Sequence, residues 1–312
     1  MVEKMNKEYK SEFKLITFFH GIMMGAADAV PGVSGGTIAL ILGIYSKFIE
    51  SISNCLYFVK NKFPIKSKDK FVSSFTFLSS LSIGMLFSYY FVTKLLVDSD
   101  DTLGLLERKT TAPFVYAFFF GLVLFSVREP WNLVTSPKLE NYLLFALGIL
   151  VIMLYTSSNF AGFESNIFLI ICGALALTAM LLPGISGSLV LLTLGQYTRI
   201  ASSFHDLDFI PLAYFIIGGL VGLVSFVPLM NYAMKHYLAR TMSLLAGFMF
   251  GSLITLWPWK ENYETDGLSP NLGLNYVFED YQLLSIILSL MFVVLGALCS
   301  FFIKNLETKV DS

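Results

Sequence analysis

The sequence predicts an all-α polytopic membrane protein made of two inverted-topology repeats, each a re-entrant broken-helix hairpin followed by three transmembrane helices. The 312 residues are 55% hydrophobic and 14% charged, with a mean hydropathy of +0.70, whereas soluble domains carry about 25% charged residues. A Pro-Gly-Ser motif interrupts the first apolar segment and recurs near the middle of the chain. An odd number of predicted crossings separates the two copies, so the second copy should lie upside down.

The two copies of the motif define an internal repeat. They read Asp28-Ala-Val-Pro31-Gly32-Val-Ser34-Gly35-Gly36-Thr37 and Pro183-Gly184-Ile-Ser186-Gly187-Ser188. When Pro31 is set against Pro183, eight of eighteen aligned pairs are identical. The identical pairs are Pro31/Pro183, Gly32/Gly184, Ser34/Ser186, Gly35/Gly187, Leu40/Leu192, Leu42/Leu194, Gly43/Gly195 and Tyr45/Tyr197. Two unrelated apolar helices would share leucines, but not Pro, Gly, Ser and Tyr together.

Each motif breaks a helix within an apolar segment. Proline lacks a backbone N–H and glycine adopts conformations that other residues avoid, so Pro31, Gly32, Pro183 and Gly184 are predicted to form two structural tips. Non-helical backbone at bilayer depth is tolerated only where it is buried in protein or lines a cavity. The binding site is therefore expected at the two tips.

The first repeat is predicted over residues 1–156. Lysines before and after the first hairpin place both of its ends on the cytoplasmic side by the positive-inside rule, and with them the N-terminus. An even number of crossings is then needed, which a hairpin that turns back at Pro31 satisfies. The predicted elements are the hairpin at about 15–59 and spans at about 71–97, 113–127 and 142–156.

The second repeat is predicted over residues 157–312. Its elements are a hairpin at about 166–197 and spans at about 209–229, 241–256 and 283–303. The loop 257–282 carries five acidic residues against one lysine and is expected outside, while Lys304 and Lys309 place the C-terminus in the cytoplasm. Parity and charge thus agree on an inverted second repeat, an architecture found in many secondary transporters.

Anion binding is the chemistry that the tips favour. The second half of a broken helix begins with unpaired N–H groups, which suit a phosphate. The candidate phosphate-binding residues are Ser34, Gly35, Gly36, Thr37, Ser186, Gly187 and Ser188. An alternative interpretation is that the glycines only permit close helix packing and the hydroxyls only cap helices.

Asp28 is the ionisable residue of the first tip, and Met180 stands at the equivalent position of the second. A carboxylate at membrane depth is a functional candidate, but it would repel a bound anion unless a proton or a cation intervened. Asp28 is therefore predicted to couple the site to a proton or a sodium ion, and no other cofactor is expected. Alternatively, Asp28 accepts hydrogen bonds from its own turn.

Lys47 and Arg199 are paired by the repeat, and each lies 13 residues beyond the serine of its motif. That separation is about 20 Å along one continuous helix, which predicts opposite membrane surfaces. The two residues are interpreted either as interfacial anchors or as residues that capture a head group on each side.

The sequence offers no signature of other chemistry. Its three cysteines are scattered, no metal-ligand spacing is present, and the histidines form no catalytic order. We therefore expect no metal site, no catalytic residues and no nucleic-acid partner.

The first motif runs from Gly25 through Asp28 and Thr37 to Tyr45, and the second runs from Pro183 to Ser188. Together they closely resemble the bacterial polyprenyl-phosphate translocase family, PopT, formerly a membrane domain of unknown function. The resemblance implies a transporter of the bacterial cytoplasmic membrane that returns undecaprenyl phosphate from the outer to the inner leaflet for cell-wall (peptidoglycan) synthesis. Membrane lipids are then its surroundings, and a homo-oligomer is compatible with it. The family often has Glu after the first-motif tyrosine, where this chain has Ser46, so that position is assigned no role.

Two alternatives come from other classes. Undecaprenyl-pyrophosphate phosphatases also have inverted repeats and a Pro-Gly-x-Ser motif, but they place an Arg after the serine and a Glu-x-x-x-Glu pair in the membrane. Here Gly35 and Gly187 follow the serines, and the only such pair, Glu8 and Glu12, lies in the Lys-rich tail. A small-anion channel or exchanger is the second alternative, because broken-helix tips also suit chloride or free phosphate.

Overall fold

Apolar segments fold into helices throughout the part of the chain that the structure describes. The structure is a computed structural model, and it describes residues 15–30, 32–96, 105–106, 108–157, 163, 165–205, 208–263 and 269–310. The Lys-rich segment 1–14, the tip residue Pro31 and the start of the predicted outer loop after 97 lie outside the described residues.

The helices of the first half are α1 (Leu15–Asp28), α2 (Gly35–Ile41), α3 (Tyr45–Lys60), α4 (Lys68–Leu96), α5 (Ala112–Ser126), α6 (Arg128–Asn132) and α7 (Leu139–Thr156). Those of the second half are α8 (Asn166–Leu181), α9 (Gly187–Thr193), α10 (Tyr197–His205), α11 (Phe209–His236), α12 (Leu238–Ser252), α13 (Leu274–Asp280) and α14 (Leu283–Val310). A short 3-10 turn, Ile65–Ser67, precedes α4.

Five helices among the described residues are long and apolar enough to cross a membrane, in agreement with a polytopic membrane protein. They lie within Ile65–Val92, Ala112–Asn132, Leu139–Thr156, Phe209–His236 and Leu283–Asn305. These five coincide with predicted spans. The remaining predicted span, 241–256, falls on α12, which has 15 residues and is buried along most of its length. At about 22 Å, α12 is shorter than a bilayer core.

Four helix pairs form the framework. In each half the first helix packs along the fourth, α1 on α4 and α8 on α11. The other two pairs, α5 with α14 and α7 with α12, each join one helix from either half. The pattern of pairs is unchanged when the two halves are exchanged.

Glycine allows these four pairs to approach closely. A Cβ atom added to Gly21 would lie 2.1 Å from the Leu81 carbonyl oxygen, across the interface of α1 and α4. A Cβ atom added to a glycine of each other pair would also lie too close to a carbonyl oxygen of the partner helix. The distances would be 2.0 Å for Gly173 on α8, 1.9 Å for Gly121 on α5 and 2.6 Å for Gly148 on α7. Without a hydrophobic driving force between helices in lipid, such small-residue contacts are a main source of helix association.

The second arm of each hairpin is broken once more, which corrects the prediction of one continuous arm. Gly43 and Gly195 both have φ +63°, and each ends the short helix that precedes it. The next residue donates its N–H five residues back, from Ile44 to Ala39 at 3.0 Å and from Gln196 to Leu191 at 2.9 Å. These are the bonds of a Schellman motif, which stops a helix. The axis turns by 119° between α2 and α3.

The segment after α12 closes over the first tip. A Cβ atom at Gly32 would lie 2.7 Å from the Thr255 hydroxyl. The Lys260 ammonium donates to the Thr255 carbonyl at 3.0 Å and lies 4.8 Å from the centre of the Tyr116 ring. Lys260 is only 5% exposed, and this burial lowers the pKa of its ammonium to about 8. A buried lysine thus anchors the segment that supports the tip.

Candidate functional site

The first tip satisfies its own helix N-terminus. The chain leaves α1 at Asp28 and starts α2 at Gly35, with Gly32 at φ +88° in between. Asp28 Oδ1 accepts a hydrogen bond from the Gly35 N–H at 2.5 Å, and Ser34 Oγ accepts one from the Gly36 N–H at 3.1 Å. The Thr37 N–H donates to the Ser34 carbonyl at 2.9 Å. The alternative interpretation of Asp28, as an acceptor for its own turn, therefore describes a real contact.

The side chains of the first tip also bind the backbone of the second tip. Ser34 Oγ donates to the Leu182 carbonyl at 3.2 Å, and Thr37 Oγ1 accepts from the Gly184 N–H at 2.9 Å. The Tyr45 hydroxyl donates to the Leu181 carbonyl at 3.0 Å. Ser34 and Thr37 are each 1% exposed. The two predicted tips thus meet inside the protein, and the first tip is closed.

The second tip has the same turn with different partners. Gly184 has φ +83°, and Ser186 stands at the N-cap of α9 without a side-chain capping bond. The Ser186 and Ser188 hydroxyls lie 2.8 Å apart and bond to each other. The N–H groups of Gly187, Ser188 and Leu189 donate to no other described residue. Because Met180 replaces the aspartate here, the turn has no carboxylate of its own.

A cavity of about 500 Å³ lies between the helix pair α1/α4 and the helix pair α8/α11. Its polar wall consists of Asp28 from the first tip and Ser186, Gly187 and Ser188 from the second. The rest of the wall is apolar or aromatic, with Leu86, Tyr89 and Phe215 among its residues. Ser34, Gly35, Gly36 and Thr37 do not line it. One carboxylate and one set of hydroxyl and N–H donors therefore share a largely apolar chamber.

The two motif tyrosines differ in the same way as the tips. Tyr45 is buried and bonded to the Leu181 carbonyl, whereas its repeat equivalent Tyr197 lines the cavity. Ala29, the repeat equivalent of Leu181, lines the same cavity. In the first tip the Tyr45 hydroxyl donates to the Leu181 carbonyl. The equivalent donor, Tyr197, and the equivalent acceptor residue, Ala29, both line the cavity.

Lys47 and Arg199 lie away from this cavity. Lys47 is exposed, with its ammonium 4.6 Å from the centre of the Phe77 ring on α4. Arg199 Nη2 donates to Asn166 Oδ1 at 2.6 Å, where α8 begins. The bend at Gly43 removes the basis for placing Lys47 about 20 Å along one straight helix. Head-group capture by either residue stays a prediction.

Sequence reasoning missed the tyrosine hydrogen bond and the support from Thr255 and Lys260. The repeat alignment pairs Tyr45 with Tyr197, but tyrosine is also common at membrane interfaces, so the pairing alone does not predict a hydrogen bond between the tips. Lys260 carries no local signal, because its burial depends on Tyr116 from a distant helix. Among the described residues, no group of three His, Cys, Asp or Glu side chains could hold a metal ion.

Comparison with known proteins identifies relatives of this chain. A family model described as VCA0040-like, undecaprenyl phosphate translocase-like, matches residues 24–270. A polyprenyl-phosphate transporter of Vibrio cholerae serotype O1 is 35% identical over 257 residues, which cover 79% of each chain. A polyprenyl-phosphate transporter of Staphylococcus aureus is 32% identical over 268 residues, covering 79% of this chain and 87% of that one. No solved structure matches the chain.

Proposed function

The chain belongs to the undecaprenyl phosphate translocase-like family, and from this premise we propose that it carries undecaprenyl phosphate from the outer to the inner leaflet of the bacterial cytoplasmic membrane. Relatives that match most of the chain are named polyprenyl-phosphate transporters, so the protein is a membrane transporter and not an enzyme. The carrier lipid would then be available again for cell-wall synthesis. The observation that carries the proposal is a cavity with one polar wall and otherwise apolar or aromatic walls.

The phosphate is bound, in this proposal, at the second tip. Ser186, Gly187 and Ser188 line the cavity, and their hydroxyl and N–H groups can donate to phosphate oxygens. Because α9 has only seven residues, these donors matter more than any helix dipole. In this conformation Ser34 and Thr37 hold the two tips together, and the Gly36 N–H donates to Ser34 within the first tip.

Asp28 supplies the coupling. Its carboxylate and a bound phosphate would face each other within one chamber of low polarity, where like charges repel strongly. A proton on Asp28, or a sodium ion between the two groups, removes that repulsion. Binding of the lipid is therefore linked to binding of a proton or a sodium ion.

Transport needs a second conformation that opens to the other leaflet. With the two halves inverted in the membrane and both termini in the cytoplasm, exchanging the roles of the halves produces such a state. Tyr197 would then donate to the Ala29 carbonyl, as Tyr45 now donates to Leu181. The first tip would open, and the second would close.

Reconstitution tests the function. Vesicles that contain the purified protein and a fluorescent undecaprenyl phosphate are treated with a membrane-impermeant quencher, and lipid that changes leaflet becomes accessible over time. We expect protein-dependent flipping that varies with a pH or sodium gradient. Release of phosphate from undecaprenyl pyrophosphate, or flux of chloride or free phosphate without flipping, would instead support the phosphatase or channel alternative.

A further inference from the structure

The cavity is walled in part by helices that can cross a membrane. Its walls come from two helix pairs, and within each pair the helices pack closely, α1 on α4 and α8 on α11. Both α4 and α11 contain segments long and apolar enough to cross a membrane. An opening between α4 and α11 therefore leads to acyl chains and not to water.

The composition of the wall changes along the way out. Asp28, Ser186 and Ser188 lie at the tips, whereas Leu86 and Tyr89 lie on α4 and Phe215 on α11. Leu86 is 71% exposed and Tyr89 is 49% exposed, although both line the cavity. A residue that lines a cavity and is also largely exposed stands at its mouth. The mouth is apolar and the inner end is polar.

A polyprenyl phosphate matches this polarity in one orientation. Its head group is small and charged, while its hydrocarbon chain is long and apolar. A chamber of about 500 Å³ is of the size that holds a drug-sized molecule, so it cannot enclose the whole lipid. The hydrocarbon chain of the lipid therefore has to extend out of the protein while the phosphate is bound. If it passes through the apolar mouth, none of its hydrocarbon surface is exposed to water.

We infer that Leu86, Tyr89 and Phe215 form a lateral portal between α4 and α11 through which the isoprenoid chain extends into the membrane while the phosphate is held at the second tip. This inference rests on the proposed function. The protein then carries only the head group across, and the portal contacts the isoprene units nearest the phosphate.

Photo-crosslinking tests the portal. A photoreactive benzophenone amino acid replaces Leu86 or, in a second variant, Phe215, and the protein is reconstituted with radiolabelled undecaprenyl phosphate. Leu143, which is 62% exposed on α7, is the matched control on a surface away from the cavity. We expect several-fold more labelled lipid at position 86 than at position 143. An excess of unlabelled undecaprenyl phosphate should compete this labelling away, and undecaprenol, which lacks the phosphate, should not.

The same samples separate this inference from the proposed function. If the variants flip the lipid but positions 86, 215 and 143 crosslink equally and without competition, the portal is wrong and the transporter stands. If the wild-type protein neither flips nor retains undecaprenyl phosphate, the proposed function fails first. A Ser186→Ala/Ser188→Ala variant should lose the labelling at position 86 that unlabelled lipid competes away, while labelling at position 143 is unchanged. If this variant keeps its labelling at both positions, the inference is also overturned.

Discussion

Asp28 and Met180 occupy equivalent positions near the ends of α1 and α8, and this difference helps to make the two tips unequal. Asp28 accepts the Gly35 N–H, whereas the N–H of Gly187, a residue of the cavity wall, finds no acceptor among the described residues. The same carboxylate lines that cavity opposite the free donors. One side chain thus caps the helix N-terminus of the first tip and places a carboxylate in the cavity that the second tip lines.

Asp28→Asn tests the coupling role. The amide oxygen can still accept from the Gly35 N–H, so we expect a folded protein with a thermal midpoint close to that of the wild type. The amide cannot bind a proton in the relevant range, so the dependence of the flipping rate on pH or sodium should disappear. Flipping that keeps both its rate and its pH dependence would show that Asp28 is only a structural acceptor.

Lys260 gives a prediction for stability. Its pKa is about 8 in the folded protein and about 10.4 in an unfolded chain. Between these values the unfolded chain binds more protons, so the free energy of unfolding should rise with pH, by up to about 1.4 kcal/mol per unit. Below pH 8 the contribution should be constant.

Thermal unfolding in detergent between pH 7 and pH 10 measures this effect, with tryptophan fluorescence as the signal. Lys260→Met is the control, because it keeps an apolar stem below the Tyr116 ring and removes the titrating group. The wild-type midpoint should rise relative to that of the variant. Parallel curves for the two proteins would contradict the assignment of a buried ammonium whose pKa is lowered by burial.

At the scale of the element, the breaks at Gly43 and Gly195 decide the shape of each hairpin. Both glycines adopt left-handed backbone with φ +63°, a conformation that costs other L-residues about 1–2 kcal/mol. We expect Gly195→Ala to lower the free energy of unfolding by about that amount, and Gly195→Asn to lower it less, because asparagine tolerates this region.

Gly273→Ala is the control for that series. Gly273 has ordinary backbone with φ −67°, and an added Cβ would meet its nearest neighbour only at 3.8 Å. The thermal unfolding midpoint of Gly273→Ala should stay near the wild-type value. Equal losses for Gly195→Ala and Gly273→Ala would mean that the left-handed turn is not what limits stability.

Elements whose identity depends on their own residues were predictable from the sequence. Five spans follow from length and apolar composition, and the Pro-Gly-Ser tips follow from local backbone chemistry. The second break was not predicted, because Gly43 lies in an apolar segment where glycine also serves helix packing. The roles of Ser34 and Thr37 depend on carbonyl and N–H groups of residues 182 and 184, which only the folded arrangement brings near.

At the scale of the whole molecule, the pairing of helices is symmetric but the tips are not. Tyr45 closes the first tip, and Tyr197 stands open. In a state with these roles exchanged, Tyr197 could make the bond that Tyr45 makes here, whereas Leu189 and Met180 could not replace Thr37 and Asp28 as acceptors. The Tyr45 bond therefore belongs to the present state alone.

Tyr45→Phe should therefore shift the protein toward the exchanged state, and Tyr197→Phe should not. A Ser34→Cys reporter measures the shift, since Ser34 is 1% exposed here. In a background without Cys55 and Cys299, thiol labelling at position 34 should speed up several-fold when Tyr45→Phe is added. Equal labelling with either phenylalanine variant would argue against an exchange of the tips.

The most direct test of the central claim is the flipping rate of fluorescent undecaprenyl phosphate in vesicles with Ser186→Ala/Ser188→Ala. Ser225→Ala on α11 is the control, because in the described part of the chain that hydroxyl bonds to the Val221 carbonyl of its own helix. We predict that the double variant folds and loses flipping by at least tenfold, whereas the control keeps the wild-type rate. A folded double variant that flips the lipid at the wild-type rate would contradict phosphate binding at the second tip.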